Sequence, residues 1–410
     1  MTNKVSITKV STGNVERAVR DAVELAGGFD DLIGPNTRVL VKPNQCKPSP
    51  RHSGCMTDAD VVEAVTKLVL ERNPKSVVIG DGAIAGYDFS AFSTQESFDS
   101  SGVTEAAKRL GVELRNLNKD TAIEVNIPDA LVMQSVRIAK TALDSDVIIS
   151  VPVIKSHIRT HATLALKNMK GVMPGAEKRK SHALGLDQAI VDLNSVVRPT
   201  YAIVDATIGM EGLWQYPQDT KELGLIIAGS DALYVDIVSA ALMDIDPSQI
   251  MHLQYMAQKE GKPGTLDAVE LVGEDLESNR QHFVTGFDVF QSRYPEVDMI
   301  QGESACSGCT NELVSAITYM KKAGYEEQIK GLTVVIGNAT GVSPGEKVVA
   351  LGRCSAGVGA PTHVPGCPPK EDAMIDALCS VCGADPAQVK ATMDEERKKL
   401  WETSSSALDS

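Results

Sequence analysis

Aromatic residues are scarce in this chain, at 4% of 410 residues, and no run of 18 consecutive apolar residues occurs anywhere. The second absence argues against a membrane-spanning helix. The amino terminus, "MTNKVSITKVSTGNVERAV", has no charged region followed by an apolar one, so it does not read as a secretory leader. Basic residues are outnumbered, with 40 Lys and Arg against 54 Asp and Glu and a net charge of -14. A general nucleic-acid binder is thereby excluded, and any anion-binding surface must be local. Cysteine is sparse as well: eight residues are too few for a disulfide scaffold in a chain of this length. These absences lead to the expectation of a cytoplasmic globular protein with no nucleic-acid partner and no membrane association. Six of the eight cysteines nevertheless follow residue 300, and such clustering in a reducing compartment points to metal or redox work.

What is present is alternation. Short β-rich runs are followed by helical patterns: "TRVLVKPN" by "DADVVEAVTKLVLERN", "KSVVIGDG" by "GVTEAAKRLG", "ELGLIIAGS" by "DALYVDIVSAALMD", with "SDVIISVPVI" and "PTYAIVDATIG" as further strands. Parallel strands joined by crossover helices produce this pattern, and "VVIGD" and "DVIISVPV" are apolar on both faces, as central parallel strands should be. Asp58 and Asp231 stand where helix caps are expected. The chain exceeds the roughly 250–300 residues at which single cores stop growing, so more than one domain is expected. The fold class is α/β with two parallel-sheet units: residues 1–280, then 281–390 beginning after "GEDLESNRQHF". The segment 391–410 reads as a charged helix ending in a disordered serine-rich tail.

In the second unit Cys306 and Cys309 ("ESACSGCTNEL"), Cys354 ("GRCSAG") and Cys367 ("VPGCPP") each follow a predicted strand. In an open parallel sheet such loops share the carboxyl edge, where ligands collect. Four thiolates gathered there suit either zinc or an iron–sulfur cluster, and spacing alone leaves both open. The flanking glycines and prolines favour the cluster, because they admit backbone N–H groups close to sulfur and hold a thiolate in a rigid turn. Cys379 and Cys382 read as an apolar helix end capped by Gly383, with redox or ligand roles as the alternative. Cys46 and Cys55 flank a Pro/Gly/Ser loop and read as separate surface thiols, or else as active-site thiols or ligands.

The segment 155–182, "KSHIRTHATLALKNMKGVMPGAEKRKSH", holds seven Lys and Arg, three histidines and a single acid, Glu177. It follows an apolar strand, and strand ends deliver side chains to the cleft above the sheet. Lys155, His157, His161, Lys167, Asn168 and Lys170 are therefore expected to bind a small anion and to supply acid or base near neutral pH. Lys42 and Asn44 end another strand and are expected in the same cleft. Asp81 and Asp205 lie at strand ends and are counted with the substrate-binding residues; turn-stabilising contacts on one side, and catalysis or pairing with the cleft lysines on the other, are both open. The "GDGAIAG" loop lacks the lysine of a phosphate-binding loop and does not make a nucleotide site by itself.

Three resemblances enter on these residues. The order CSGC, GRC, PGCPP is similar to the small subunit of nickel–iron hydrogenases and the cluster-bearing subunit of respiratory complex I. That likeness implies a [4Fe-4S] cluster on Cys306, Cys309, Cys354 and Cys367 in a flavodoxin-like unit. Across residues 5–270, "VLVKPN", "VIGD", "PVIKSH…THATLALKNMKGVMPG" and "IVDATIGMEG" resemble the domain-of-unknown-function family 362. "KNMKGVMPG" after "KSH" is also similar to lactate racemase-like proteins, which implies Lys170 as a lysine holding a nickel-pincer cofactor and His157 or His161 as a base. The expected function is an anaerobic-type iron–sulfur oxidoreductase acting on a small anion held by the Lys/His cleft. A ferredoxin-like redox partner and a homodimeric assembly stay open. The alternatives are a redox-neutral racemase or epimerase with a structural cluster, and an electron carrier or cluster-delivery protein.

Overall fold

The computed structural model describes residues 3–11, 14–84, 93–214, 218–302, 304–305, 307–342, 345 and 347–406. The chain divides into two compact units, residues 1–284 and 285–410.

The strands of the first unit are β1 (Lys4–Lys9), β2 (Arg38–Pro43), β3 (Ser76–Asp81), β4 (Glu113–Asn116), β5 (Ala122–Asn126), β6 (Ser135–Ala139), β7 (Val147–Val151), β8 (Val153–His157), β9 (His161–Thr163), β10 (Tyr201–Met210), β11 (Thr220–Gly229) and β12 (Glu270–Gly273). The main sheet has the order β12-β1-β11-β10-β7-β2-β3-β4, with β8 on β10 and β9 on β8. From β10 to β4 neighbours run parallel, whereas β11 is antiparallel to both β1 and β10. The alternation of apolar runs does not distinguish these cases. Residues 211–219 are too few to hold the crossover helix a parallel connection needs, so β10 and β11 pair antiparallel.

The expected single strand "DVIISVPVI" is divided at Pro152, which has no N–H to give to a ladder. β7 stays in the sheet centre, all five residues buried, while β8 leaves with β9 to form an antiparallel ribbon. That division places the basic segment over the carboxyl ends of β2 and β3. Helix starts follow the expected caps: the Asp58 carboxylate accepts from the Asp60 N–H, and that of Asp231 from the Leu233 N–H. Val39, Val41, Val62, Val65, Ile79 and Ile149 form one apolar layer. Ile154, Leu164, Leu166, Val204, Ile227 and Leu233 belong to another. Burial of such side chains, at about 1.5–3 kcal/mol each, dominates the stability of the unit.

The second unit holds a parallel sheet in the sequential order β13 (Val297–Gln301), β14 (Leu332–Ile336), β15 (Val348–Leu351), β16 (Thr362–Val364). The parallel α/β layer is as expected; among the described residues the order shows no reversal beside the first strand, as a flavodoxin-like sheet has. Helix Glu371–Cys382 ends at Gly383, whose φ of 71° is the left-handed cap expected there. Helix Pro386–Ser406 contains the expected charged helix and runs into the serine-rich end, and residues 407–410 lie outside the described residues. No helix among the described residues is long and apolar enough to cross a membrane.

Candidate functional site

The carboxyl ends of β2 and β3 bring Lys42 and Asp81 together. Lys42 Nζ, fully buried, donates to Asp81 Oδ1 at 2.7 Å, to Asn168 Oδ1 at 3.0 Å and to the Pro43 carbonyl at 3.1 Å. Burial lowers the Lys42 pKa, and the Asp81 carboxylate works against that shift. Asp81 Oδ2 also accepts from the Gln45 N–H at 2.7 Å. Asn168 in turn donates to the Lys42 carbonyl and to Ser150 Oγ, and receives the Asn44 side-chain amide at 3.2 Å. Four expected site residues, Lys42, Asn44, Asp81 and Asn168, therefore form one polar floor in which the Lys42 charge is already neutralised.

The charges above that floor are partnered differently. Lys155, 1% exposed, donates to the Cys55 carbonyl at 2.6 Å and to Cys46 Sγ at 3.3 Å, and lies 4.6 Å over the Trp214 ring. Lys167 Nζ donates to Thr163 Oγ1 at 3.0 Å. Among the described residues neither ammonium meets a carboxylate. Burial, followed by the fields of Lys170 and Lys155, pushes the Lys167 pKa well below the usual lysine range. Lys170 Nζ lies 2.9 Å from His182 Nε2.

His157 is 2% exposed, and its Nδ1 accepts the N–H groups of Arg159 and Thr160 at 3.2 Å each, which assigns the ring proton to Nε2. Burial first, then Lys167, His182, Lys170 and Lys155, holds its pKa well below 6.5. His157 is thus a neutral imidazole set among cations. His182 is held neutral for the same reasons, burial and then Lys170, Lys167 and Arg159. Its buried Nδ1 has no hydrogen-bond partner among the described residues. His161 is the register partner of His157 across the β8–β9 ribbon and adopts φ 57°.

Asp205 is committed elsewhere. Its oxygens accept from the Asp58 N–H at 2.9 Å and from the Thr207 N–H and hydroxyl at 3.1 and 2.6 Å, and burial raises its pKa to about 6. It holds the start of helix Ala59–Leu70 and the bulge at Ala206–Ile208 of its own strand, and stands in the middle of β10 rather than at the expected strand end. Glu211 meets Lys221 at 3.5 Å and accepts from the Val284 N–H at 2.8 Å. Of the "GDGAIAG" loop, residues 85–86 lie outside the described residues.

Several contributors lay outside the expected set. Asp236, fully buried, accepts the N–H groups of Ala165 and Leu166 at 2.7 and 2.9 Å, and so holds the helical turn that carries Lys167 and Asn168. No local pattern links "YVDIVS" to a turn 70 residues earlier. Trp214 anchors its ring by donating to the Ser156 carbonyl at 2.9 Å. Cys46 and Cys55 are not separate surface thiols: both are buried, with sulfurs 3.6 Å apart, because the loop folds back under Lys155.

In the second unit Cys309 is buried at the start of helix Ser307–Lys322, Cys354 is exposed in the turn after β15, and Cys367 is half-buried after β16. Cys306 lies outside the described residues. A methyl group placed on Gly352 would stand 3.0 Å from Cys309 Sγ and 3.5 Å from Cys354 Sγ, so both sulfurs face one glycine cradle. The Gly352 and Arg353 N–H groups donate to Val364 and Gly366 at 2.9 and 2.7 Å, binding the Cys354 turn to the segment that leads to Cys367. Among the described residues no three His, Cys, Asp or Glu side chains stand close enough to hold a metal ion. The all-sulfur donor set and the glycine cradle nevertheless suit a cysteine-bound group. Cys379 and Cys382 are buried at a helix end, and burial pushes the Cys379 thiol up to about 11.

Residues 39–241 match the family model described as Domain of unknown function (DUF362). The matched span contains Lys42, Asp81, Lys155, His157, Lys167, Lys170 and Asp236, and ends before the cysteine-bearing unit. A thylakoid-associated protein of Synechocystis sp. is 29% identical over 244 residues, which cover 58% of this chain and 73% of that protein. Among solved structures, the lactate racemase apoprotein from Thermoanaerobacterium thermosaccharolyticum is similar with a TM-score of 0.39 and 12% identity, over 87% of this chain and 70% of that one. A Thermotoga maritima protein from a structural genomics programme is similar with a TM-score of 0.35 and 12% identity, over 72% and 64% of the two chains.

Proposed function

We propose that this chain, which carries a DUF362 match over residues 39–241, is an iron–sulfur oxidoreductase acting on a small organic anion. The observation that carries the anion site is the pair of ammonium groups, Lys155 and Lys167, set beside neutral His157 with no carboxylate contact among the described residues. Desolvated cations without anionic partners are costly, and an entering carboxylate or phosphate removes that cost. Lys155 and Lys167 bind the anion. His157 Nε2–H orients it and exchanges a proton with it, while Trp214 and the Lys42–Asp81 floor limit water.

In the second unit Cys306, Cys309, Cys354 and Cys367 would hold a [4Fe-4S] cluster, which when bound supplies one-electron transfer. The test is elemental and spectroscopic. Protein purified without oxygen should contain about four irons and four sulfides per chain and give an EPR signal after dithionite reduction. One zinc and no sulfide would make the cysteine site structural and remove the redox part of the proposal. The anion site is tested separately by calorimetric titration with 2-hydroxy acids, 2-oxo acids and inorganic phosphate.

A second reading, a redox-neutral acid–base enzyme, is favoured by one observation: two neutral histidines, His157 and His182, share the same lysines. Turnover that survives complete oxidation of the cluster, with proton exchange at the carbon bearing the acid group, selects it.

A further inference from the structure

The loop between β2 and helix Ala59–Leu70 gathers two thiols that neither part of the proposed function uses. Cys46 and Cys55 are 7% and 2% exposed, and their sulfurs lie 3.6 Å apart. Cys46 Sγ is 3.2 Å from the Cys55 carbonyl, Lys155 Nζ reaches both residues, and Met56 and Met210 close the apolar side. A disulfide has its sulfurs about 2.05 Å apart, so these two, already in contact, would have to close by roughly 1.5 Å to bond. Two thiols buried only among methionines would be inert, since burial favours the neutral form. Here an ammonium lies within hydrogen-bonding distance of one sulfur.

We infer that Cys46 and Cys55 form a redox-active dithiol, cycling with an intramolecular disulfide, in which Lys155 is a positioning residue. The Cys55 thiolate attacks one sulfur of a low-molecular-weight disulfide, forming a mixed disulfide and expelling one thiolate. Cys46 gives up its proton and attacks the Cys55 sulfur. The Cys46–Cys55 bond closes and the second thiolate leaves; two electrons have passed from the pair to the small disulfide, and the Cys46 proton goes to one of the two departing thiolates. The asymmetry this needs is present: a hydrogen bond from Cys46, with Lys155, Lys47 and Ser49, lowers the Cys55 pKa, while the same contact and burial raise that of Cys46. The inference rests on the loop's own geometry and holds whether or not the lysines take an anion.

The test uses the full chain, held without oxygen in buffers of varied reduced-to-oxidised dithiothreitol ratio, then acid-quenched, alkylated and digested with trypsin. Lys42 and Lys47 precede prolines, so cleavage after Arg51 puts the two cysteines on separate peptides. A cross-linked Cys46–Cys55 peptide pair should appear along a two-electron transition. Recovery of both cysteines as separately alkylated peptides in the most oxidising buffer overturns the inference. The Lys155 role is read from iodoacetamide trapping of Cys55, expected to slow roughly 10-fold in Lys155→Met and to be kept in Lys155→Arg. An unchanged rate in folded Lys155→Met removes Lys155 from the couple. Because the cross-link is measured on the wild-type chain, a misfolded variant does not affect it.

Discussion

Lys42 Nζ lies 2.7 Å from Asp81 Oδ1 directly beneath Gly171, where even a methyl group would stand 1.9 Å from that oxygen and 2.5 Å from the nitrogen. The pair joins the ends of β2 and β3, and the chain passes over it at the one residue type that fits. A buried pair of this kind gains little overall, but opening it leaves two uncompensated charges.

Gly171→Ala should therefore destabilise the first unit by about 3–5 kcal/mol, the cost of breaking a buried ion pair. Gly34→Ala, where nothing lies within 4 Å, is the control and should stay within about 0.5 kcal/mol. Urea denaturation of both variants decides. A Gly171→Ala midpoint equal to wild type would show that the chain can move off the pair.

Removing a lysine from the proposed anion site should weaken binding without unfolding the chain. Lys167→Met is expected to raise the Kd of the bound acid about 10- to 100-fold, the worth of one charge-assisted hydrogen bond. Lys170→Ala is expected to weaken it as well, through the loss of one positive charge from the cleft. Equal affinities by calorimetry would exclude Lys167 from the site.

The pH dependence of that affinity has a stated sign. In the proposed site Lys167 binds the anion as an ammonium, and its pKa is lowered by burial and by Lys170 and Lys155. Affinity should fall, by up to about tenfold per pH unit, as pH rises through a value below the ordinary 10.5. His157, also lowered, is already neutral at pH 6.5, so its base form should persist under mild acid. Affinity flat up to pH 10.5, or activity lost with a midpoint at 6.5, contradicts the two assignments in turn.

Asp236 has its pKa raised to about 7 by burial, against the two N–H groups of Ala165 and Leu166. The folded chain therefore holds a proton that the unfolded chain releases near 3.8. Stability carried by Asp236 is fully present below that pH and is lost as pH rises through about 7. Asp236→Asn does not titrate, so the stability difference between wild type and variant should be larger at pH 4.5 than at pH 8. Thermal melts at the two values check this; a constant difference would mean that Asp236 is ionised throughout.

Cys354→Ala should abolish absorbance near 400 nm and the reduced EPR signal while leaving the melting of the first unit unchanged, since Cys354 lies outside that unit's core. Gly352→Ala should lower iron content too, because its methyl group meets the Cys309 and Cys354 sulfurs. Full iron content in both variants would place the metal elsewhere.

Much of this protein follows from local chemistry. Apolar runs bounded by Gly, Pro and capping aspartates set the β2, β3 and β7 strands and the starts at Asp58 and Asp231, because strand pairing and helix capping act over a few residues. Lysines and histidines placed just after buried strands were bound to reach the carboxyl edge. Which partner each of them takes was decided in three dimensions. Lys42 spends its charge on Asp81 and Asp205 on backbone N–H groups, because desolvation makes each buried charge take the nearest partner the fold supplies. The same folding brings Asp236 beneath the turn of Lys167 and sets Cys46 against Cys55. Contacts between residues far apart in the chain, or across an irregular loop, have no period for a sequence to display.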